Sequence, residues 1–241
     1  MTLTSNLKLK YSNLWESMTH HKFVSQLGDG SLPPSIFKAY FLQDYVFVND
    51  LVPLAAQGIA KAPDLNTASI FNKFLIGVLD PENDLFIRFF KKLGATKQDY
   101  SSAKASPVTQ AFGDFLVRTS LEGTFDDIAL VLYVTEGTYL DWGNRLLEEG
   151  ANPKNLVYKE WIDLHGPNVL GELVSWLENY LNNNSKITLD RAEYLFHTAL
   201  RYEFLFWESA YNLKNWFCLL YTSPSPRDQR GSGGGGEGLK K

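Results

Sequence analysis

The chain has 241 residues, with 16 Phe, 12 Tyr and 6 Trp, and this length suits one large domain with a sizeable core. The net charge of −4, spread along the sequence, argues against nucleic acid or an anionic membrane as a partner, because both bind basic surfaces. We expect a cytoplasmic protein, since no signal peptide or membrane-spanning segment is visible and the single cysteine, Cys218, excludes a disulfide within the chain.

Periodic apolar residues predict helices along most of the chain. The first is predicted over residues 3–19, and the second opens at Pro33-Pro34, is kinked by Pro53 and ends before Pro63. Further helices are predicted from residue 64 to a break at Asp80-Pro81, then over 86–93, 108–121, 125–148, 153–164, 168–181 and 189–216, with a polar loop over 94–106. No stretch alternates with period two, so we expect a single all-α domain over residues 1–217.

The last 24 residues differ in composition from the rest of the chain. The segment CLLYTSPSPRD at 218–228 resembles the translation of a sequencing-library adapter, and a glycine-rich stretch follows it. We predict that residues 218–241 are a disordered, non-native tail that takes no part in the fold or the function. A natural flexible tail is the alternative.

Three acidic residues lie in otherwise apolar and aromatic helical stretches. Asp44 and Glu203 each share a helical stripe with aromatic residues, and Glu136 lies in the run LYVTEGTY at 132–139, with Tyr139 on the same face. An ionised carboxylate on such a face is costly unless it is paired, hydrogen-bonded or shifted in pKa. The pattern predicts one polar pocket inside a helical core. For Asp44 and Glu203 the alternative is an exposed surface position.

Other residue types give weaker signals. Phe47 and Phe112 are core residues by default, although a planar heterocycle bound in the pocket would need such rings for stacking. The four histidines have no i, i+4 pair, and the sequence has no phosphate-binding glycine loop, Cys/His metal pattern or nucleophile elbow. We therefore expect no metal and no organic cofactor.

Three segments of the chain are similar to segments of one protein family. FLQDY at 41–45, the helix around Glu136 and Tyr139, and YEFLFWESAY at 202–211 resemble the TenA/thiaminase-2 family, and the resemblance covers roughly residues 5–216. HKF at 21–23 stands where the family usually has His-Pro-Phe. The resemblance implies a haem-oxygenase-like helical bundle. The wider superfamily includes pyrroloquinoline-quinone synthases, so the resemblance defines the fold more closely than the function.

Within this family, the sequence is similar to the branch that lacks the catalytic cysteine. The position of that cysteine falls on Thr135, whereas the second branch, often called TenA_E, carries a glutamate in a segment that VTEGTY at 134–139 resembles. The resemblance implies a thiamin-salvage hydrolase. Its substrate would be an aminomethyl pyrimidine or the N-formyl derivative, and its products hydroxymethylpyrimidine with ammonia or formate.

The resemblance also implies roles for individual residues. Asp44 would bind the aminopyrimidine edge and Phe47 would stack on the ring. Glu136 would replace the cysteine as nucleophile or base, with Tyr139 orienting it or the leaving group and Glu203 moving the proton. Two pocket tyrosines of the cysteine branch fall on Phe112 and near His165, which we therefore predict to contact the substrate.

Two other functions remain open at this point. The first is a non-catalytic pyrimidine-binding protein, which the loss of the cysteine favours. The second is a redox enzyme of the pyrroloquinoline-quinone synthase or haem-oxygenase type, which the lack of a clear ligand histidine and of a basic pocket disfavours. The resemblance suggests a homo-oligomer, either a dimer or a tetramer.

Overall fold

A computed structural model describes residues 1–214, except for the side chains of 81–83. The predicted tail at 218–241 lies outside the described residues. Residues 1–214 form helices and no strand, as the sequence predicts. The helices are α1 (Leu3–Lys10), α2 (Ser12–Thr19), α3 (Lys22–Asp29), α4 (Pro34–Lys61), α5 (Leu65–Gly77), α6 (Asn83–Lys92), α7 (Lys97–Ser101), α8 (Pro107–Glu122), α9 (Phe125–Glu148), α10 (Leu156–Leu164), α11 (Pro167–Asn183) and α12 (Leu189–Tyr211).

Short polar side chains begin most of these helices. Thr124 accepts from the backbone N–H of Asp127 while the Asp127 side chain accepts from the Thr124 N–H, which satisfies two backbone donors at the start of α9. Asp64 accepts from the N–H of Thr67 at 2.8 Å and starts α5. Prolines occupy the first turn of α4, α8 and α11, where a missing N–H costs nothing.

The structure differs from the predicted elements at several places. The helix predicted over 3–19 is divided at Tyr11, whose ring stacks on His197 of α12 at 4.7 Å between centroids. The loop predicted over 94–106 contains α7, which Thr96 and Asp99 cap. The predicted break at Asp80-Pro81 is a π-helical segment, Val78–Glu82.

α4 is one continuous helix through Pro53 and ends at Lys61, as the predicted end before Pro63 requires. One further difference concerns the end of the last helix. α12 ends at Tyr211 rather than 216, because Leu213 adopts a positive φ of 53°, which no helix can continue through.

Helix α9 is the central element of the fold. Residues 127–135 are all buried, which is expected of a helix that is apolar on every side. α2, α4, α8, α10, α11 and α12 all pack against it. Acidic residues on α4, α9 and α12 therefore meet at the centre of the bundle. No helix in residues 1–214 is long and apolar enough to cross a membrane.

Candidate active site

A cavity of about 320 Å³ lies between α4, α5, α9, α11 and α12. The three acidic residues that the sequence places on apolar helix faces all line it: Asp44 from α4, Glu136 from α9 and Glu203 from α12. Asp44 is 6% exposed and Glu203 is 2% exposed, so the alternative of exposed surface acids is wrong for both. The three carboxyl groups define the polar end of the cavity, together with Thr135, Tyr139 and His165.

Asp44 is the first of the three carboxyls. Burial, and after it the negative charge of Glu136, raise its pKa to about 8. A hydrogen bond from the Tyr40 side chain acts in the opposite direction, because it favours the charged form. Asp44 therefore carries a proton over much of the neutral range until a positive charge arrives beside it.

Glu136 is partly buried and titrates near neutrality. Burial raises its pKa to about 7, and a hydrogen bond from Thr135 partly opposes this. The Thr135 hydroxyl lies 3.3 Å from Oε1 of Glu136 and 3.1 Å from the carbonyl oxygen of Leu132, so its one hydrogen is shared between two acceptors. A carboxyl with a pKa near the working pH suits a general base.

Glu203 is the most deeply buried of the three carboxyls. Burial raises its pKa well above the usual value, and the charges of Glu136 and Asp44 raise it further. Glu203 therefore remains protonated when Glu136 ionises. Carboxyls whose environments separate their pKa values can supply an acid and a base to the same reaction.

Tyr139 lines the cavity with the carboxyls and contacts a second, deeper tyrosine. Its hydroxyl oxygen lies 3.2 Å from that of Tyr40, which is fully buried on α4 one helical turn before Asp44. Burial raises the pKa of both phenols well above the usual value, so both are neutral. The sequence predicts Tyr139 in the site, whereas Tyr40 has no predicted role. Its i, i+4 spacing to Asp44 was the signal that could have identified it.

His165 lies at the C-terminus of α10 and lines the same end of the cavity. Its Nδ1–H donates to the carbonyl oxygen of Trp161 at 2.8 Å, and burial lowers its pKa to about 4. The ring is therefore neutral, and its proton is on Nδ1. Because Nδ1 carries the proton, Nε2 is an acceptor for a ligand.

The two predicted aromatic contacts have different positions. Phe47 lines the cavity beside the carboxyls. Phe112 lies one layer behind it, with ring centroids 4.7 Å apart, and its ring also stacks on Tyr202. Phe112 thus supports the ring of Phe47, and the cavity wall is formed by Phe47 itself.

The other end of the cavity is apolar. It is lined from α5, the π-helical segment and α11 by Ile70, Phe74, Gly77, Val78, Leu170 and Leu173. An exposed ion pair between Lys73 and Glu172, 3.9 Å apart, lies at its rim. In residues 1–214 no group of three or more His, Cys, Asp or Glu side chains is arranged to hold a metal ion.

A model of the TENA/THI-4/PQQC family matches residues 10–213. The chain belongs to this family. The chain is similar to the aminopyrimidine aminohydrolase of Halalkalibacterium halodurans, with 30% identity over 90% of this chain and 98% of that protein's length. The aminopyrimidine aminohydrolase of Bacillus subtilis is 27% identical over 84% of this chain and 86% of its own.

Solved structures of other proteins have the same fold as this chain. A TenA homologue from P. horikoshii superposes with a TM-score of 0.81 at 24% identity, covering 88% of this chain and 99% of its own. A Shewanella denitrificans domain described as having a haem oxygenase-like fold gives a TM-score of 0.70 at 15% identity, covering 87% of this chain and 92% of its own. The predicted all-α, haem-oxygenase-like fold and the TenA resemblance are confirmed.

Proposed function

We propose that the chain is a thiamin-salvage hydrolase, an aminopyrimidine aminohydrolase. It converts an aminomethyl pyrimidine, or its N-formyl derivative, to hydroxymethylpyrimidine. The observation that carries the proposal is the convergence of Asp44, Glu136 and Glu203 at one end of an otherwise apolar cavity. The full-length relatives from H. halodurans and B. subtilis, both named for this activity, support it.

The cavity suits a small heterocycle. Its volume of about 320 Å³ is at the lower end of the range for small-molecule sites, about 300–1,000 Å³. Phe47 offers a ring face beside the carboxyls, on which a pyrimidine can stack in an offset arrangement. Asp44, once ionised, accepts from the amino group and protonated ring nitrogen of an aminopyrimidine. The ligand would then have its exocyclic aminomethyl carbon near Glu136 and Glu203.

The reaction replaces a C–N bond by a C–O bond. Glu203, held neutral, donates its proton to the leaving nitrogen, so that ammonia departs without a negative charge. Glu136 supplies the electron pair. As a base it takes a proton from the attacking water, and as a nucleophile it forms an ester that water then cleaves. In both routes Glu203 has given its proton to the leaving nitrogen and Glu136 ends with a proton that comes from water, and proton transfer from Glu136 to Glu203 restores the site.

The residue at position 135 supports the branch without the cysteine. Thr135 lines the cavity, and its hydroxyl hydrogen is shared by Glu136 and a backbone carbonyl, so it contributes a hydrogen bond rather than a nucleophile. The chain's only cysteine is Cys218. Glu136 is then the group that takes the place of the thiolate.

The second candidate is a pyrimidine-binding protein without turnover. The missing thiolate at Thr135 favours it, since the cavity and Asp44 alone suffice for binding. A redox enzyme of the pyrroloquinoline-quinone synthase or haem-oxygenase type is the third candidate. We also propose a cytoplasmic homo-oligomer, a dimer or a tetramer, which sedimentation of the purified protein tests.

Calorimetry combined with product analysis separates the first two candidates. The purified chain is offered aminomethyl pyrimidine and formylaminomethyl pyrimidine, with thiamin as a comparison. We expect saturable binding and conversion to hydroxymethylpyrimidine, identified by mass spectrometry. Saturable binding with recovery of intact ligand supports the binding protein and contradicts the hydrolase.

A further inference from the structure

His165 contributes an imidazole to the wall of the cavity, and a hydrogen bond and three neighbouring rings hold it in place. Its Nδ1–H donates to the carbonyl oxygen of Trp161 at 2.8 Å. The rings of Trp161, Trp142 and Tyr139 pack against it, with centroids 4.5, 5.1 and 4.8 Å away. The imidazole therefore cannot turn without losing both its hydrogen bond and its packing.

The other nitrogen of this ring is an acceptor without a partner. A carbonyl oxygen can only accept, so the hydrogen is on Nδ1 and Nε2 has a free lone pair. Burial lowers the pKa of the ring to about 4, so Nε2 stays unprotonated at neutral pH. Among residues 1–214 no donor bonds Nε2, although His165 is only 7% exposed. A buried acceptor that no protein group satisfies is expected to bind a donor from a ligand.

Helix α9 places this acceptor on the side of the cavity where the leaving nitrogen of the substrate would lie. Glu136 and Tyr139 are three residues apart on one face of α9, and the ring of Tyr139 packs against that of His165. In the proposed complex Asp44 binds the edge of the pyrimidine, so the exocyclic carbon and its nitrogen lie toward Glu136. Nε2 can then accept an N–H of that nitrogen.

We propose that His165 is a specificity-determining residue that requires a hydrogen on the leaving nitrogen of the substrate. The inference deepens the proposed function and rests on it. When Nε2 holds one N–H of an amine, the lone pair of the nitrogen is free to turn toward Glu203, which supplies the proton. The primary amine and the formamide both carry such a hydrogen, whereas an N-alkylated formamide has none. A ligand without the hydrogen leaves Nε2 buried and unpaired, and this penalty allows a site to reject it.

The test compares two isomeric amides of the aminomethyl pyrimidine. The acetamide carries its extra methyl group on the carbonyl carbon and keeps the N–H, whereas the N-methylformamide carries the methyl group on the nitrogen and has no N–H. Both are uncharged and contain the same atoms. Calorimetry with wild type should give a dissociation constant at least about tenfold lower for the acetamide. Equal constants, or tighter binding of the N-methylformamide, would overturn the proposal. The titrations are repeated in Glu136→Gln where wild type hydrolyses the ligands.

His165→Leu removes the acceptor and keeps an apolar side chain of similar size. In this variant the two constants should agree within about twofold, because only the shapes of the two amides still differ. His165→Gln restores an acceptor oxygen and should recover at least about threefold of the preference. A preference that is undiminished in folded His165→Leu contradicts the proposal.

The matched control is His197→Leu. His197 stacks on Tyr11, with 4.7 Å between ring centroids, and does not line the cavity. It should show the same preference as wild type. Loss of the preference in this variant as well would overturn the assignment to His165.

A spectroscopic measurement decides the outcome if a variant at His165 does not fold. Its Nε2 resonance in wild type with isotopically labelled histidine nitrogens is assigned by elimination among the four histidines. The resonance should take the shift of a hydrogen-bonded nitrogen when the acetamide saturates the site, and not when the N-methylformamide does. The same shift with both ligands contradicts the proposal.

Failure of the proposed function is distinguishable from failure of this inference. If wild type shows the preference but releases no ammonia from the amine, the hydrolase fails and His165 still selects ligands with an N–H. If ammonia is released but the two amides bind equally, the hydrolase stands and the role of His165 is wrong.

Discussion

Glu136 differs from the other two carboxyls in how close its pKa of about 7 lies to neutral pH. Asp44 has a pKa of about 8, and the pKa of Glu203 is raised well above its usual value. Burial is the largest cause in all three, and the mutual repulsion of the charges adds to it at Asp44 and Glu203. At neutral pH the site therefore holds a base and an acid simultaneously.

Glu136→Gln tests the role of that base. The amide keeps the size and the hydrogen-bonding capacity of the side chain but has no basic electron pair, so turnover should fall roughly 10²-fold or more. The fold should remain intact, because a neutral amide is cheaper to bury than a carboxylate. Steady-state rates and a thermal melt of the same preparation measure both effects.

Glu148→Gln is the matched control for that substitution. Glu148 lies on the same helix, α9, and is exposed, with its carboxylate accepting from Asn144. Its substitution should leave turnover unchanged. If folded Glu136→Gln turns over as fast as Glu148→Gln, Glu136 is structural, although family membership is unaffected.

The sequence pattern predicts Asp44, Glu136 and Glu203 in one pocket, and all three line the cavity, but the pattern does not encode the order in which the surrounding residues are layered. The acids were identifiable because a carboxylate on an apolar face is costly and therefore informative. Tyr40 lies one helical turn before Asp44, yet its contact with Tyr139 joins residues 99 positions apart, which no local pattern encodes. The position of Phe112 behind Phe47 also depends on how α4 packs against α8.

At the scale of elements, α9 passes very close to the end of α10. A Cβ atom built on Gly143 would collide with the carbonyl oxygen of His165, so glycine is required for this close approach. The contact fixes the backbone that carries the His165 ring into the cavity. α9 therefore positions Glu136 and Tyr139 directly and His165 indirectly.

Gly143→Ala should disturb both stability and the site. The added methyl group forces α9 and the α10 terminus apart, which costs about 1–3 kcal/mol as overpacking does in other cores. Substrate affinity should fall as well, because His165 moves with its backbone. Gly171→Ala is the control, since its Cβ would meet only Pro167 Cβ at an ordinary 3.7 Å. Chemical unfolding and ligand titration of the two variants measure the difference, and equal stabilities would show that the close approach is dispensable.

The long helices were easier to predict than the breaks between short ones. α4, α8, α9 and α12 follow from sustained apolar periodicity, with errors of a few residues at their ends. The break at Tyr11 depends on its stacking against His197, 186 positions away, so it has no local signal. α7 did have a local sequence signal, since Thr96 and Asp99 form a capping box. The stacking of its Tyr100 on Phe90 is a tertiary contact, which no local pattern predicts.

At the scale of the whole molecule, the three carboxyls make stability depend on pH. The pKa of Asp44 rises from an ordinary 3.8 to about 8 on folding, so the folded state holds this proton more tightly than the unfolded state. The stability that this carboxyl contributes is present below a pH of about 4 and is lost as the pH rises toward about 8. When its carboxyls are ionised, the polar end of the cavity thus lowers the free energy of unfolding.

Asp44→Asn should relieve this cost. The variant should melt at a higher temperature than wild type at pH 8, and the difference should shrink as the pH falls toward 4. For a chain of this size each kcal/mol recovered raises the thermal midpoint by roughly 2–4 °C. Melting curves across this range check the prediction. A difference that grows toward low pH would show that Asp44 is stabilised in its charged form.

Ammonia release from aminomethyl pyrimidine tests the central claim most directly. The account predicts that the purified wild-type protein releases one ammonia for each hydroxymethylpyrimidine formed, and that Glu136→Gln loses this release while Glu148→Gln keeps it. Saturable binding of the pyrimidine to wild type without any ammonia would contradict the claim that the three converging carboxyls catalyse hydrolysis.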